Sequence, residues 1–185
     1  MNQTGAFTQF ISDLNALSVP YMITGAYAVS YFGLPRATHD LDVVIEIKLA
    51  DFNKVCRKFA KRYMIDADMV ANALQYSTHF SIIHNKSDLK IDFWILKESS
   101  SEKEKFGRRK KVSLFGMPTY IISAEDMVLT KLEWFKRSNN TKHLDDAVGI
   151  IRVQAGKLNK AYIMRALEKL GIKRYWNKAV KKAKV

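Results

Sequence analysis

The sequence has little of what disulfide-stapled, zinc-stapled or membrane proteins depend on. Its 185 residues include a single cysteine, Cys56, which cannot form a disulfide within the chain. The four histidines lack the spacing of zinc ligands. No apolar run approaches the ~20 residues that span a bilayer, and the first residues, MNQTGAFTQF, lack the basic start and apolar centre of a signal peptide. We therefore expect a cytoplasmic protein with no membrane partner.

Acidic residues are also scarce. The chain has 18 Asp and Glu against 31 Lys and Arg, which gives a formal net charge of +13. This excess favours a polyanionic partner such as RNA, because Lys and Arg contacts to phosphates release counterions. A soluble basic surface with no dedicated partner explains it equally well, since net charge carries no information about shape.

The composition is that of a globular protein, with 48% hydrophobic and 26% charged residues. The hydrophobic pattern predicts mixed helices and strands in residues 1–122 and only helices in 123–185, so we expect a domain boundary near residue 123. In the second part, the predicted helices cover residues 124–137, 142–155, 159–170 and 172–183. Ser123 precedes the first of these helices as a cap-like residue.

In the first part, two apolar runs that flank a turn predict a β-hairpin over 79–84 and 89–96, and a second hairpin is predicted over 111–115 and 118–122. The charged segment 98–111 is predicted to be a loop or an exposed helix. The remaining predictions are helices over 7–17, 26–32, 52–59 and 66–75 and strands over 21–24 and 40–47.

Two carboxylates stand close together on the predicted strand 40–47. Asp40 and Asp42 share one face at a backbone separation of about 6.5–7 Å, while Leu41, Val43 and Ile45 lie on the other face. Carboxylates at this spacing can bind one Mg²⁺, or two ions about 3.5–4 Å apart. The alternative is that both are simply solvated at a strand edge.

Asp92 is a lone acid in an apolar strand, Lys90-Ile91-Asp92-Phe93-Trp94-Ile95. A buried, unpaired carboxylate is costly, so it needs compensation. A metal shared with Asp40 and Asp42, a Lys or Arg partner, or a position on the wet face of the hairpin would each supply it. We interpret Trp94 as a packing anchor rather than a stacking platform.

The segment Ile23-Thr24-Gly25-Ala26 predicts a strand that turns through a glycine into a helix. Such a turn directs backbone N–H groups and the positive end of the helix dipole outwards, which suits phosphate. Strand–Gly–helix turns are common, so this one alone does not mark a phosphate site.

In combination these segments resemble the nucleotidyltransferase superfamily with its polymerase β-like fold, and in particular the minimal nucleotidyltransferases of prokaryotes. The matching positions are Gly25-Ala26, Arg36-Ala37-Thr38, Asp40-Leu41-Asp42 and Asp92. The resemblance spans residues 20–96 and continues weakly through Ser123–Asp126, Lys131 and His143–Asp146. One departure is Ala26, which stands where the family has a second glycine or a serine.

The resemblance implies an α+β fold, in which a mixed sheet flanked by helices is followed by a C-terminal helical region. It also implies transfer of a nucleoside monophosphate from a nucleoside triphosphate to a hydroxyl acceptor, with release of pyrophosphate. Asp40 and Asp42 would hold Mg²⁺, or Mn²⁺ as an alternative. Asp92 would complete a second metal site and act as a base toward the acceptor.

Nucleotide contacts are implied for five further residues. Gly25 and Ala26 would cradle phosphate through their N–H groups, and Arg36, Thr38 and Lys131 would support the loop or reach the triphosphate. A structural ion pair with one of the acids is an equally good explanation for Arg36.

The acceptor is expected to be RNA, a protein or a small hydroxylated compound. The basic charge and small size favour toxin-like members that modify tRNA, with a cognate antitoxin, over members that modify antibiotics. The alternative function is a catalytically inactive module that keeps the fold and binds RNA or a protein. Ala26, which departs from the family pattern, is compatible with this inactive module.

Overall fold

The computed structural model describes residues 3–38 and 40–184. Contacts divide the chain into two compact units, one of Met1–Gly25 with Thr38–Ile122 and one of Ala26–Ala37 with Ser123–Val185. His39 lies outside the described residues.

The first unit is built on a mixed sheet. Within residues 3–38 and 40–184 it has seven strands in the order β3-β4-β5-β2-β1-β7-β6. Their bounds are β1 Tyr21–Ile23, β2 Asp40–Ile45, β3 Tyr63–Met64, β4 His79–His84, β5 Lys90–Ile95, β6 Lys110–Leu114 and β7 Met117–Ile121.

Parallel pairs join strands that are distant in the sequence, and hairpins join neighbours. β2 runs parallel to β5, and β1 runs parallel to β7 and antiparallel to β2. The pairs β3–β4, β4–β5 and β6–β7 are antiparallel. The three central strands are therefore β5, β2 and β1.

Helices cover one face of this sheet and form the core with it. On β2, Leu41, Val43 and Ile45 are fully buried, as the alternating pattern predicts. Phe10 of the first helix packs against Phe59 and Phe93, with ring centroids 6.0 and 5.8 Å apart. Each such buried aromatic ring stabilises the fold by roughly 1.5–3 kcal/mol. The helices of this unit are α1 Gln3–Ala16, α3 Phe52–Phe59, α4 Ala67–Tyr76 and α5 Ser100–Gly107.

In its described residues the second unit contains helices and their connections. Ser123 caps α6, since its hydroxyl accepts the Asp126 N–H at 3.1 Å. Leu132 and Ile150 lie in its core. The helices are α2 Gly25–Phe32, which begins at the last residue of the first unit, α6 Ala124–Ser138, α7 Thr141–Val153, α8 Lys160–Leu170 and α9 Lys173–Ala183.

The α+β fold with a mixed sheet and C-terminal helices is confirmed. Both predicted hairpins are present, and the charged segment 98–111 contains the helix α5. The bounds of several elements differ from the prediction by a few residues; β2, for example, ends at Ile45. The two-residue strand β3 was not predicted, because it is too short to leave a sequence pattern. Among the described helices, none has the length and apolarity needed to cross a membrane.

Candidate active site

The predicted acids share one face of the sheet. β2 and β5 are neighbours, and paired residues on adjacent strands point to the same side. The side opposite the buried Leu41 and Ile91 therefore carries the register pairs Asp40 with Lys90, Asp42 with Asp92, and Val44 with Trp94. β4 extends this open face with Ser81 beside Asp92 and His79 beside Trp94.

Asp42 lies against the turn that follows β1. Gly25, in that turn, has a positive φ of 63°. A Cβ atom at Gly25 would lie 1.9 Å from Oδ2 of Asp42, so only glycine leaves room for this carboxylate. On the other side, the indole Nε1–H of Trp94 donates a hydrogen bond to Oδ1 at 3.3 Å. Asp42 thus lies close to the Gly25 turn and accepts a hydrogen bond from an indole.

Asp92 is held by its neighbours in the hairpin. The Ser81 hydroxyl donates to its Oδ1 at 2.5 Å. The Lys90 ammonium lies 2.8 Å from Oδ1 and 2.9 Å from Oδ2. This hydrogen bond raises the pKa of Lys90, and the negative charges of Asp92, Asp40 and Asp42 add to the effect. Of the three ways to compensate Asp92, the structure shows a lysine partner.

Trp94 lies on the open face. Its side chain is exposed and stacks on His79, with ring centroids 4.7 Å apart and an interplanar angle of 27°. The interpretation of Trp94 as a packing anchor is therefore wrong, because β5 turns it to the polar side, where it contacts Asp42.

No family model and no curated protein matches this sequence, but solved structures match its fold. The structure of ANT(2″)-Ia in complex with adenylyl-2″-tobramycin superposes with a TM-score of 0.62 at 14% identity, over 95% of this chain and 99% of that one. A nucleotidyltransferase-like protein from Paracoccidioides brasiliensis gives 0.58 at 15% identity, over 96% and 91%. The lincosamide adenylyltransferase LnuA with lincomycin bound gives 0.52 at 12% identity, over 81% and 96%.

The chain has the nucleotidyltransferase fold. At this level of identity the likeness defines the fold alone, so the roles of individual residues in this nucleotidyltransferase fold rest on the geometry above.

In this nucleotidyltransferase fold, the side chains of Asp40, Asp42 and Asp92 are of a chemical type that binds divalent cations. Three carboxylates on one sheet face offer the oxygen ligands that Mg²⁺ and Mn²⁺ take. The absent side chain at Gly25 leaves Asp42 space against the turn. Among the described residues, however, no three Asp, Glu, His or Cys side chains lie close enough together to form a metal site. Asp92 instead contacts Lys90 and Ser81, and the convergence of all three acids stays a prediction.

The other predicted residues make contacts within their own units of the nucleotidyltransferase fold. In the first unit, the Thr38 hydroxyl donates to the backbone oxygen of Asp40 at 3.1 Å, which braces the loop before β2. In the second unit, Ala26 is buried in α2. Arg36 and Lys131 both belong to that unit, and both pair with one acid, Asp146.

Lys131 and Asp146 form a buried ion pair in the second unit. The Lys131 ammonium is 2.7 Å from Oδ2 of Asp146, and the two side chains are 8% and 6% exposed. The Nε of Arg36 is 3.4 Å from Oδ1. The acid that pairs with Arg36 is thus Asp146, on α7, rather than one of the three sheet carboxylates. A nucleotide contact for Lys131 or Arg36 stays a prediction.

We expect Lys131→Met to lower the free energy of unfolding by about 2 kcal/mol, because it leaves the buried Asp146 with Arg36 as its remaining cation. Urea denaturation followed by circular dichroism measures this loss. The exposed Lys142, on α7 of the same unit, supplies the control: Lys142→Met should change stability by less than about 0.5 kcal/mol. Equal stability of the two variants would contradict the assigned ion pair.

Three polar residues around the acids and Trp94 were not predicted from the sequence. Lys90 and Asp92 are two apart on one strand and so share a face, which the sequence alone could have shown. Ser81 and His79 reach the site through the β4–β5 register, which depends on the length of the turn between the strands.

Proposed function

We propose that the protein is a nucleotidyltransferase that moves a nucleoside monophosphate from a triphosphate to a hydroxyl acceptor and releases pyrophosphate. The observation that carries this proposal is the pairing of Asp42 with Asp92 on adjacent parallel strands, next to the Gly25 turn. Two carboxylates held side by side in this way repel each other and favour a cation between them.

Asp40, Asp42 and Asp92 are the residues proposed to hold Mg²⁺ or Mn²⁺. A divalent cation neutralises charge on the phosphates and on the attacking and leaving oxygens. The Gly25 turn offers N–H groups that have no partner inside α2 and can therefore donate to phosphate. Ala26, Arg36, Thr38 and Lys131 stay proposed nucleotide contacts.

In the proposed reaction the acceptor oxygen attacks the α-phosphorus in line. The new phosphorus–oxygen bond forms as the bond between the α- and β-phosphates breaks, and pyrophosphate leaves with the bonding electrons. Asp92 takes the proton of the acceptor hydroxyl. The Ser81 hydroxyl donates to the Asp92 carboxylate and orients it for this role.

For the acceptor we propose tRNA, with a protein hydroxyl as the alternative, in a toxin-like system with a cognate antitoxin. ANT(2″)-Ia and LnuA were solved with antibiotic compounds. A chain of net charge +13 disfavours a polycationic aminoglycoside and favours a polyanion.

One observation favours the second candidate, an inactive binding module. The Lys90 ammonium already neutralises Asp92, so the acids are partly compensated without a metal. Ala26 in place of a second glycine or serine agrees with this alternative.

The test combines mass spectrometry with thermal unfolding. The purified protein is incubated with Mg²⁺, each triphosphate in turn, and either bulk tRNA or protein extract. We expect one triphosphate to add a monophosphate to one acceptor. Mg²⁺ with that nucleotide at a hundred times its Kd should stabilise the fold by roughly 2.7 kcal/mol. No transfer, and no stabilisation at millimolar ligand, would instead support the binding module.

A further inference from the structure

The ammonium of Lys90 contacts both carboxylate oxygens of Asp92, one of the three predicted metal ligands. The ammonium nitrogen is 2.8 Å from Oδ1 and 2.9 Å from Oδ2 of Asp92, whose side chain is 15% exposed. Both residues lie on β5, two positions apart, so no change of backbone is needed to keep them in contact. The contact between Lys90 and Asp92 thus follows from their spacing along one strand.

A carboxylate oxygen that accepts an ammonium N–H at this distance is not available to a divalent cation in the same direction. At Asp42, one strand away, the indole Nε1–H of Trp94 donates to Oδ1 at 3.3 Å. A cation that binds Asp92 must therefore displace the ammonium of Lys90.

We propose that Lys90 is an intramolecular competitor for Asp92, so that a divalent cation binds this carboxylate only when the ammonium leaves it. The inference rests on the proposed function, which makes Asp92 a metal ligand. The Lys90 ammonium therefore weakens the binding of a divalent cation at Asp92. Lys90 is a positioning residue here and takes no part in the chemical step.

Mn²⁺ binding without nucleotide, followed by electron paramagnetic resonance, tests the proposal independently of activity. Lys90→Met keeps the aliphatic stem and removes the ammonium. We expect it to raise Mn²⁺ affinity roughly five- to tenfold, the scale of one partly exposed ion pair with its hydrogen bond. Lys90→Arg keeps the cation and should bind Mn²⁺ as the wild type does.

Two controls separate competition from a change in overall charge. Lys111, exposed on β6, carries the same charge away from the acids, and Lys111→Met should alter Mn²⁺ affinity by less than about twofold. The gain from Lys90→Met should also disappear when Asp92→Asn is present, as in a double-mutant cycle. Equal gains from both lysine variants, no gain from Lys90→Met, or a gain that survives Asp92→Asn would each overturn the proposal.

Asp42→Asn keeps this inference distinct from the proposed function. If Mn²⁺ binds Asp42→Asn as tightly as the wild type, the metal site itself is assigned to the wrong residues. If Asp42→Asn abolishes binding but Lys90→Met has no effect, the metal site stands and the competition by Lys90 is wrong.

Discussion

Replacing Asp42 by Asn is expected to lower the rate of nucleotide transfer by about 10²- to 10³-fold, because a charged metal ligand contributes several kcal/mol to the transition state. Asn has nearly the same shape, and its amide oxygen can still accept the Trp94 indole N–H. A lower rate of transfer would therefore result from the loss of the negative charge rather than from misfolding. Transfer from a labelled triphosphate to the acceptor found by mass spectrometry provides the measurement.

The matched control for this variant is Asp88→Asn, which makes the same chemical change in the exposed turn between β4 and β5. It should transfer nucleotide at the wild-type rate. Thermal unfolding of both variants confirms that each is folded. Equal rates for the wild type and Asp42→Asn with every donor would remove the basis of the catalytic assignment.

Gly25→Ala is expected to damage both stability and transfer. The new Cβ would meet Asp42 Oδ2 at 1.9 Å, and the residue would keep a φ of 63°. The left-handed backbone alone costs about 1–2 kcal/mol, and displacement of the Asp42 carboxylate adds to that cost. Because the displaced carboxylate is a proposed metal ligand, we expect transfer to fall as far as in Asp42→Asn.

Gly116→Ala is the control that measures only the energetic cost of placing alanine in a left-handed backbone conformation. Gly116, in the turn between β6 and β7, has a φ of 79°, and a Cβ there would meet no atom within 4 Å. Its urea denaturation should show the loss of about 1–2 kcal/mol with unchanged transfer. If both glycine variants lose the same stability and keep the same activity, the contact between Gly25 and Asp42 is not a constraint on the site.

Local patterns predicted much of this fold. The alternation in β2 correctly separated Leu41 and Val43 from Asp40 and Asp42, and turn signals located both hairpins. Long-range pairing could not be predicted in the same way. Which residue lies opposite Asp42 is fixed by the register of two strands about fifty positions apart, and no local pattern encodes it.

The ion pairs also differ in whether the sequence could predict them. The Lys90–Asp92 pair follows from a period of two on one strand, so it was accessible to sequence reasoning. The Lys131–Asp146 pair depends on how two helices pack, and a lysine in a helical pattern gives no sign of its partner. The catalytic and nucleotide-binding assignments themselves stay predictions until variants are measured.

The strand order has a consequence for how the protein tolerates change. Asp40 and Asp42 lie on β2, Asp92 lies on β5, and Gly25 follows β1. These are the three innermost strands, and β3 and β6 are the outermost strands of the sheet. Outer strands fray and reclose at low energetic cost, while inner ones open only with large-scale unfolding. Insertions and deletions in the outer strands β3 and β6 should therefore leave the distance between the Asp42 and Asp92 carboxylates unchanged.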